Sequence, residues 1–364
     1  MKQKLLNPGP ANTTESVKLA QVVDDICPRE KEFGHIMHYI KDNLTYIALN
    51  GRNSLKYDTV LFGSSGTGAC ESVISSLPSQ SKLLVLINGA YGERALKIAN
   101  KYRLDVTGME FCTVLDYDAI KTELTLKNYD YVYVIHSETT SGALNDIEKI
   151  GSFCKESNSK LIVDAMSSFA AYEIDMEKQN IDFLIASSNK NLQGMAGIGF
   201  VVCKIDELKK LKDCARTYYF DIYDQWDYFY KSDYQLRFTP PVQTIYALKQ
   251  AIDETLSETV KMRYERYKEN CMLLRREMKE LGLQQYIDDK DSSIIITSFK
   301  NINHPKYDFD EMHDYLKLHG YTIYPGKISN SGTFRIANIG TLTKYDITNF
   351  LNTFKDYLKY YIHE

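Results

Sequence analysis

Two residues near the middle of this sequence, Lys190 and Asp164, carry side chains that together suit amine chemistry. A lysine amine that is held close to a carbonyl group and partly removed from water can form a Schiff base with an aldehyde. An ionised carboxylate beside a pyridine nitrogen keeps that nitrogen protonated, and the ring then accepts electrons from a bound substrate. The pair therefore predicts pyridoxal 5'-phosphate as the cofactor, with Lys190 and Asp164 as catalytic residues.

The neighbouring sequence predicts where these two residues lie in the fold. Residues 161–163 and 183–186 are short apolar runs, typical of strands that are buried on both faces of a parallel sheet. Ligands of open α/β sheets bind beyond the carboxyl ends of such strands. Asp164 and Lys190 follow these two runs, so we expect them to face one site. The alternative for Lys190 is a solvated surface charge, which is the common situation of a lysine.

The elements that must position these residues change in character along the chain. Between about residues 55 and 203, apolar strand segments alternate with helical segments, which predicts an α/β fold with a mostly parallel central sheet covered by helices. After about residue 250 a long charged helix at 257–281 is followed by mixed strands and helices, the last of them at 343–361. We therefore predict a large cofactor-binding domain at residues 1–250 and a smaller α+β domain at 251–364, with about the first 15 residues able to pack on the small domain.

The composition argues against several classes of partner. The chain has 364 residues and a formal net charge of -4 without a long block of like charge, so neither nucleic acid nor a membrane surface is an expected partner. The N-terminus shows no apolar signal segment and no run is long enough to span a membrane, which predicts a cytoplasmic protein. The seven cysteines include no CxxC pair, so we expect neither a disulfide framework nor a bound metal. Small molecules are the expected partners.

A loop of small and hydroxyl residues, 63–69, lies between a predicted strand and a predicted helix. Helix N-termini offer unpaired N–H groups and the positive end of the helix dipole, so Ser65, Gly66 and Thr67 could cradle a phosphate group. The loop lacks the third glycine of a dinucleotide fingerprint and the lysine of a Walker loop. The alternative is a plain tight turn in which Thr67 caps the helix.

Two further strand ends carry residues that suit the same ligand. Tyr91, in the stretch 88–94, could lie flat on a planar cofactor, and the stretch 136–142 adds hydroxyl groups near the same edge of the sheet. Each stretch alone could be a structural turn. Small polar groups at successive strand ends together favour a binding site.

Arg335 lies between apolar residues in a predicted strand near the C-terminus. A buried guanidinium is costly unless an anion pairs with it, and its planar fork matches a carboxylate or a phosphonate. Arg335 is therefore a candidate for binding an amino acid or an oxo acid. An internal ion pair with Asp or Glu explains the pattern equally well.

A series of motifs, in the same order along nearly the whole chain, resembles the class V aminotransferases. The motifs are Asn7-Pro8-Gly9-Pro10, residues 28–34, Ser65-Gly66-Thr67, residues 88–94, Glu138-Thr139-Thr140-Ser141-Gly142, residues 163–168, Ser188-Asn189-Lys190, Tyr324-Pro325-Gly326-Lys327 and Phe334-Arg335-Ile336. The resemblance implies a pyridoxal phosphate-dependent transferase of fold type I that forms homodimers, with residues of both subunits lining each active site.

The same resemblance implies a role for each matching residue. Lys190 would form the Schiff base, Asp164 would pair with the ring nitrogen, and Tyr91 would stack on the ring. The other implied roles are phosphate binding by Ser65, Gly66, Thr67 and Asn189, contact with the ring hydroxyl by Thr139, contact with the neighbouring subunit's phosphate by Thr239, and binding of the substrate carboxylate and phosphonate by Arg335.

Within the family, the motifs are most similar to those of enzymes that transfer the amino group of 2-aminoethylphosphonate to pyruvate. That reaction gives phosphonoacetaldehyde and L-alanine and is reversible in principle, and the sequence does not set its direction. An alanine:glyoxylate or serine:pyruvate transaminase of the same fold stays open, as does a protein that binds pyridoxal phosphate without turnover. A cysteine desulfurase is disfavoured, because neither a reactive loop cysteine nor a histidine beside Lys190 is evident. The aromatic segment 218–234 could be an interface or a lid.

Overall fold

A computed structural model describes residues 3–326 and 332–362, so Lys327 of the motif at 324–327 lies outside the described residues. The strands are β1 (Lys4–Leu5), β2 (Tyr57–Phe62), β3 (Lys82–Ile87), β4 (Asp105–Glu110), β5 (Tyr131–Ile135), β6 (Ser137–Glu138), β7 (Ala143–Leu144), β8 (Lys160–Asp164), β9 (Phe183–Ser187), β10 (Gly199–Lys204), β11 (Ile296–Lys300), β12 (Tyr321–Thr322), β13 (Tyr324–Pro325) and β14 (Thr333–Ala337). The α-helices are α1 (Glu15–Leu19), α2 (Lys31–Ala48), α3 (Gly66–Ser76), α4 (Ala90–Lys101), α5 (Tyr117–Leu126), α6 (Ile147–Glu156), α7 (Ile205–Lys209), α8 (Ile222–Lys231), α9 (Val242–Glu258), α10 (Val260–Glu280), α11 (Phe309–Leu318) and α12 (Lys344–Tyr357). A 3₁₀ turn covers Asp289–Asp291, and a π-helical turn covers Leu358–Ile362.

The central sheet has seven strands in the order β2-β10-β9-β8-β5-β3-β4. β10 runs antiparallel to both of its neighbours, and the other neighbouring strands are parallel. β2, β5 and β9 are buried along their whole length, as expected for apolar strands that are covered on both faces. The predicted α/β architecture with a mostly parallel central sheet is confirmed.

Alternate residues of the strands face two separate hydrophobic layers. On β5, Val132 and Val134 belong to the layer that includes residues of α2, α5, α6 and α9. Tyr131, Tyr133 and Ile135 belong to the opposite layer, with residues of α3, α4, α7 and α8. The two-residue period of a strand thus places the side chain of Tyr133 on the same side of the sheet as α3.

The C-terminal part of the chain has its own sheet and core. β11, β14 and β13 form an antiparallel sheet in that order, and its apolar face shares a core with α10, α11 and α12. Ile347, Phe350 and Phe354 are buried on one face of α12. β1 pairs in parallel with β12, so the N-terminal residues contact this part of the chain.

The predicted helix at 257–281 is correct in type but wrong at its start. α9 ends at Glu258, Thr259 adopts a φ of 68°, and α10 begins at Val260. Thr259 adopts a left-handed backbone conformation, which a β-branched residue rarely does. This conformation breaks the helix. The domain boundary at residue 250 lies inside α9 and stays a prediction. Within the described residues, no helix combines the length and apolar character needed to cross a membrane.

Candidate active site

Several strand ends meet at a cavity of about 270 Å³ beside the central sheet. The predicted residues that line it are Ser65, Gly66, Thr67, Tyr91, Asp164, Asn189 and Lys190. Cys70, Arg94, Tyr133 and Met166 line it as well, and the sequence interpretation gave none of these four residues a role. Thr139, Thr239 and Arg335 are predicted site residues that do not line this cavity.

Asp164 is the last residue of β8 and is buried. Its Oδ1 accepts a hydrogen bond of 2.9 Å from the backbone N–H of Met166. Its Oδ2 accepts hydrogen bonds from the Tyr133 hydroxyl at 3.2 Å and from the Cys70 thiol at 3.5 Å. Burial raises the pKa of Asp164, while these donors and the nearby charge of Arg94 oppose that rise. The carboxyl group is thus held in a fixed orientation at the cavity wall.

The N-terminal segment lies against the side chain of Lys190. The Lys190 Nζ donates a hydrogen bond of 2.7 Å to the carbonyl oxygen of Pro8, and the backbone N–H of Ala11 donates one of 3.0 Å to the Asn189 carbonyl. A Cβ atom at Gly9 would lie 2.5 Å from the Lys190 Nζ, and Gly9 has a φ of 131°. Glycine is favoured here by the backbone conformation, and a side chain at this position would also displace the end of Lys190.

The loop that follows Lys190 is fixed by side chains from α10. Arg263 donates a hydrogen bond to the carbonyl oxygen of Asn191, and the hydroxyl of Tyr267 accepts one of 3.0 Å from Gln193. The Asn191 side-chain amide donates to the carbonyl of Ser167, just beyond β8, at 2.9 Å. These contacts hold the two strand ends that carry Asp164 and Lys190 in one arrangement.

The start of α3 forms the expected cradle. Ser65 is the N-cap residue, and its side chain makes no capping hydrogen bond, so it does not occupy the N–H groups of the first helical turn. A Cβ atom at Gly66 would lie 2.4 Å from the Met166 Sδ, so a larger residue would crowd the cavity. The alternative in which Thr67 caps the helix is wrong, because Thr67 already lies inside α3 and its Oγ1 accepts a hydrogen bond of 3.2 Å from Arg94.

Tyr91 lies in the first turn of α4, with the guanidinium carbon of Arg94 4.9 Å from the centre of its ring. The backbone N–H of Tyr91 donates a hydrogen bond of 3.3 Å to the Glu138 carboxylate. Glu138 is buried, and burial raises its pKa. A Cβ atom at Gly89 would lie 2.4 Å from Glu138, so glycine makes room for this carboxylate at the start of the helix. Glu138 was visible in the sequence only as part of a motif.

Arg335 lies on β14, is 1% exposed, and reaches the segment between β6 and β7 from the C-terminal part of the chain. Its Nη1 donates a hydrogen bond of 3.0 Å to the Thr139 carbonyl, and its Nε donates one of 2.9 Å to the Pro325 carbonyl. Within residues 3–326 and 332–362, no Asp or Glu forms an ion pair with Arg335. The alternative of an internal ion pair is therefore excluded for that part of the chain. Burial lowers the pKa of Arg335, so an added anion would relieve an unfavourable desolvation.

Thr139 and Thr239 have contrasting surroundings. Thr139 is fully buried, and its Oγ1 has no hydrogen-bond partner among the described residues. A buried hydroxyl of this kind is an expected contact for a polar ligand group. Thr239 is exposed on the segment between α8 and α9. Its side chain is therefore accessible to a group outside this chain.

Comparison with known proteins identifies the family. The sequence profile of the family described as aminotransferase class-V matches residues 17–340. The chain is 40% identical over 356 residues to the 2-aminoethylphosphonate–pyruvate transaminase of Bacillus cereus (strain G9842), with 96% of each chain covered. It is 38% identical over 362 residues to the bifunctional phosphonoacetaldehyde hydrolase/aminoethylphosphonate transaminase of Clostridioides difficile (strain 630). That match covers 97% of this chain and 56% of the relative, so the chain spans little more than half of the bifunctional protein. The chain belongs to the class V aminotransferase family.

Solved structures confirm the predicted fold. The alanine–glyoxylate aminotransferase from Nostoc sp. has a TM-score of 0.89 at 22% identity, covering 98% of this chain and 96% of its own. The pyridoxamine–pyruvate aminotransferase from Mesorhizobium loti has a TM-score of 0.88 at 22% identity, covering 99% of this chain and 93% of its own. The fold is that of fold type I pyridoxal phosphate enzymes. The protein is accordingly a pyridoxal phosphate-dependent aminotransferase, whose substrates are a small-molecule amine and a keto acid.

The residues at the cavity fit pyridoxal phosphate. The helix start at Gly66, left open by its N-cap residue, suits a phosphate group. The buried Asp164 suits a ring nitrogen. Thr139, whose hydroxyl lacks a partner in the described part of the chain, does not line the cavity itself but lies two residues beyond Ser137, which does. Lys190 supplies the amine.

Proposed function

We propose that the protein transfers the amino group of 2-aminoethylphosphonate to pyruvate, forming phosphonoacetaldehyde and L-alanine. Two relatives whose names include this transaminase activity support the proposal, at 38% and 40% identity. The structural observation that carries it is Arg335, a buried cation that has no ion-pair partner in the described part of the chain. Each substrate has an anionic group at one end, a phosphonate or a carboxylate, that can pair with a guanidinium.

The residues of the cavity would divide the work as follows. Pyridoxal phosphate, when bound, supplies an aldehyde that takes up the amino group and a ring that accepts electrons. Lys190 would hold the aldehyde end of the cofactor, and its Nζ would take up and return the proton of the substrate carbon that carries the amino group. Asp164 would hold a proton on the ring nitrogen. Tyr91 would cover one face of the ring.

The phosphate and the substrate anion would be bound at separate places. Ser65, Gly66 and Thr67, together with Asn189 beside Lys190, would hold the phosphate at the start of α3. Thr139 would approach the ring hydroxyl. Arg335, which donates to the Thr139 carbonyl, would receive the substrate anion close to the ring.

Further proposals concern assembly and location. Thr239 would reach the cofactor phosphate of the partner subunit in a homodimer, because it is exposed and does not line the cavity of its own chain. The division into a large domain at 1–250 and a small domain at 251–364 would place Asp164 and Lys190 in one domain and Arg335 in the other. A cytoplasmic location is proposed from the sequence alone.

Cys70 is the cysteine that the cavity offers for a desulfurase reaction. Burial and the neighbouring Asp164 raise the pKa of its thiol well above the usual range. Because the thiolate is the reactive form, this thiol is poorly suited to attack a substrate. The environment of Cys70 therefore favours transamination over desulfuration.

The direct experiment is a substrate panel with purified protein that has been supplied with pyridoxal phosphate. We expect a higher kcat/KM for the formation of L-alanine from 2-aminoethylphosphonate and pyruvate than for the formation of glycine from glyoxylate. In the glyoxylate reaction, alanine or serine is the amino donor. Turnover with glyoxylate alone would contradict the proposal and favour an alanine:glyoxylate enzyme. Turnover of serine and pyruvate alone would favour the serine:pyruvate alternative. Bound cofactor without turnover of any pair would indicate a binding protein.

A further inference from the structure

Two buried side chains converge on the same oxygen of Asp164. Tyr133 lies on β5, the strand that pairs with β8, and its hydroxyl is 3.2 Å from the Asp164 Oδ2. Cys70 lies on α3, and its thiol is 3.5 Å from that oxygen. The backbone N–H of Met166 occupies the other oxygen, Oδ1. Donors from a strand, a helix and a loop therefore fix the carboxyl group from separate directions.

Both side chains are expected to act as donors. Tyr133 is 1% exposed and Cys70 is 7% exposed. Burial, with the charge of Asp164 as the next cause, raises the pKa of each group well above its usual range. Each group therefore keeps its proton at neutral pH and can donate it to the carboxylate. A hydrogen bond to the charged form of an acid favours that form.

We propose that Tyr133 and Cys70 are positioning residues that keep the Asp164 carboxylate ionised and directed at the ring nitrogen of the cofactor. This inference rests on the role proposed for Asp164. A carboxyl group in this buried place would otherwise take up a proton more readily, because burial disfavours its charged form. A protonated Asp164 could no longer stabilise a positive charge on the ring.

Other charged groups also act on Asp164. Arg94, on α4, lowers its pKa through its charge, and the buried Glu138 has a repulsive interaction with it. Lys190 lines the same cavity. In the part of the chain that the structure describes, neither Arg94 nor Glu138 forms a hydrogen bond with Asp164. Their electrostatic effects on Asp164 remain when Tyr133 or Cys70 is replaced.

The test compares Tyr133→Phe with Tyr131→Phe. Tyr131 is buried on the same strand and faces the same layer, but among the described residues its hydroxyl makes no hydrogen bond with Asp164. Each variant therefore loses one buried hydroxyl, and one of them loses a donor to Asp164. The probe is pyridoxamine 5'-phosphate, whose binding to the cofactor-free protein is titrated from about pH 5 to pH 9. It has no aldehyde, so it forms no covalent bond with Lys190.

We expect the Tyr133→Phe variant to bind this probe like the parent protein at high pH and more weakly as the pH falls. Loss of the donor raises the pKa of Asp164, so the ratio of the variant's dissociation constant to the parent's should rise from about one at high pH to about ten at low pH. Tyr131→Phe should give a ratio that does not depend on pH. A pH-independent ratio for Tyr133→Phe as well would overturn the inference.

Cys70 gives a second, smaller test. Cys70→Ala should shift the same pH profile in the same direction by less than Tyr133→Phe, because a thiol is a weak donor. Cys70→Ser should restore the profile, since its hydroxyl can donate. Cys203→Ala, at another buried cysteine of the same layer, is the matched control and should leave the pH dependence unchanged. Failure of the serine variant to restore the profile in a folded protein would remove Cys70 from the inference.

A separate variant distinguishes this inference from the role of Asp164 itself. Asp164→Asn should abolish the pH-dependent part of probe binding that Asp164 supplies. If that variant binds the probe with the parent pH profile, the proposed role of Asp164 fails. If Asp164→Asn changes the profile but Tyr133→Phe behaves like Tyr131→Phe, only the positioning role fails.

Discussion

The edge of the central sheet and the C-terminal sheet contribute to the site in different ways. Asp164 ends β8, Lys190 follows the neighbouring strand β9, and both line one cavity. Arg335 comes from β14 in a different sheet, is buried, and donates a hydrogen bond to the Thr139 carbonyl, which follows β6. We infer that the cofactor end is formed by one sheet, whereas the substrate-anion end depends on how the two parts of the chain pack together.

The largest expected effect belongs to the cofactor end. Lys190→Ala removes the amine that we propose moves the proton, so turnover should fall by about 10³-fold or more. The control is Lys97→Ala, at an exposed lysine on α4 that pairs with Glu93, which should keep parent turnover. Steady-state kinetics with 2-aminoethylphosphonate and pyruvate measure both variants. Near-parent turnover of Lys190→Ala would remove the lysine from the chemistry.

The second prediction distinguishes binding of the substrate anion at Arg335 from binding of the cofactor in the cavity. Arg335→Met should lower kcat/KM by the equivalent of about 2 to 5 kcal/mol, because it removes the charged partner that we propose for the substrate anion. The affinity for pyridoxal phosphate should change far less, since Arg335 does not line the cavity. Arg276→Met, at an exposed arginine on α10, is the control.

Two measurements on Arg335→Met decide the outcome, the kcat/KM and the dissociation constant of the cofactor. An equal loss in both would contradict the separation of the two ends. Arg335→Lys should recover part of the activity, because it restores the charge but not the planar fork.

The third prediction concerns His136, which lies between the cofactor end and the substrate-anion end of the site. Its backbone N–H donates to the Asp164 carbonyl, and its ring packs near Tyr172, whose hydroxyl contacts Ser293 and Ile294. Burial lowers the pKa of His136 to about 4. The unfolded chain binds a proton below about pH 6.5 while the folded protein does not, so the stability from this group is present above pH 6.5 and lost as the pH falls towards 4.

Urea unfolding at pH 7 and pH 5 tests this prediction. His136 should account for a loss of about 2 kcal/mol at pH 5, and His136→Gln should remove that part of the pH dependence. The matched control is His35→Gln at an exposed histidine of α2, which should leave the change in stability between pH 7 and pH 5 as it is in the parent protein. The same pH dependence in His136→Gln as in the parent protein would show that this histidine is not buried in its neutral form.

The sequence predicts the cofactor end well because local signals determine it. The apolar runs 161–163 and 183–186 form buried strands, and the residues that follow them reach one cavity. The small residues at 63–69 form the turn between β2 and α3, which local sequence also determines. Each of these features depends on a few adjacent residues and on the parallel arrangement of the strands.

Contacts between distant parts of the chain could not be predicted from these signals. Nothing in the sequence around Pro8 shows that its carbonyl accepts a hydrogen bond from Lys190, 182 residues away. The same holds for Tyr133 and Cys70, which look like ordinary core residues until β5, β8 and α3 are brought together. For Arg335 the sequence left an internal ion pair open, because the surroundings of β14 depend on the packing of the two sheets.

The central claim is that Lys190 holds the cofactor in the cavity beside Asp164. The most direct measurement is borohydride reduction of the protein with pyridoxal phosphate bound, followed by proteolysis and mass spectrometry of the labelled peptide. The account predicts that the phosphopyridoxyl group is attached to Lys190. Attachment at another lysine, or a protein that takes up no label, would contradict it.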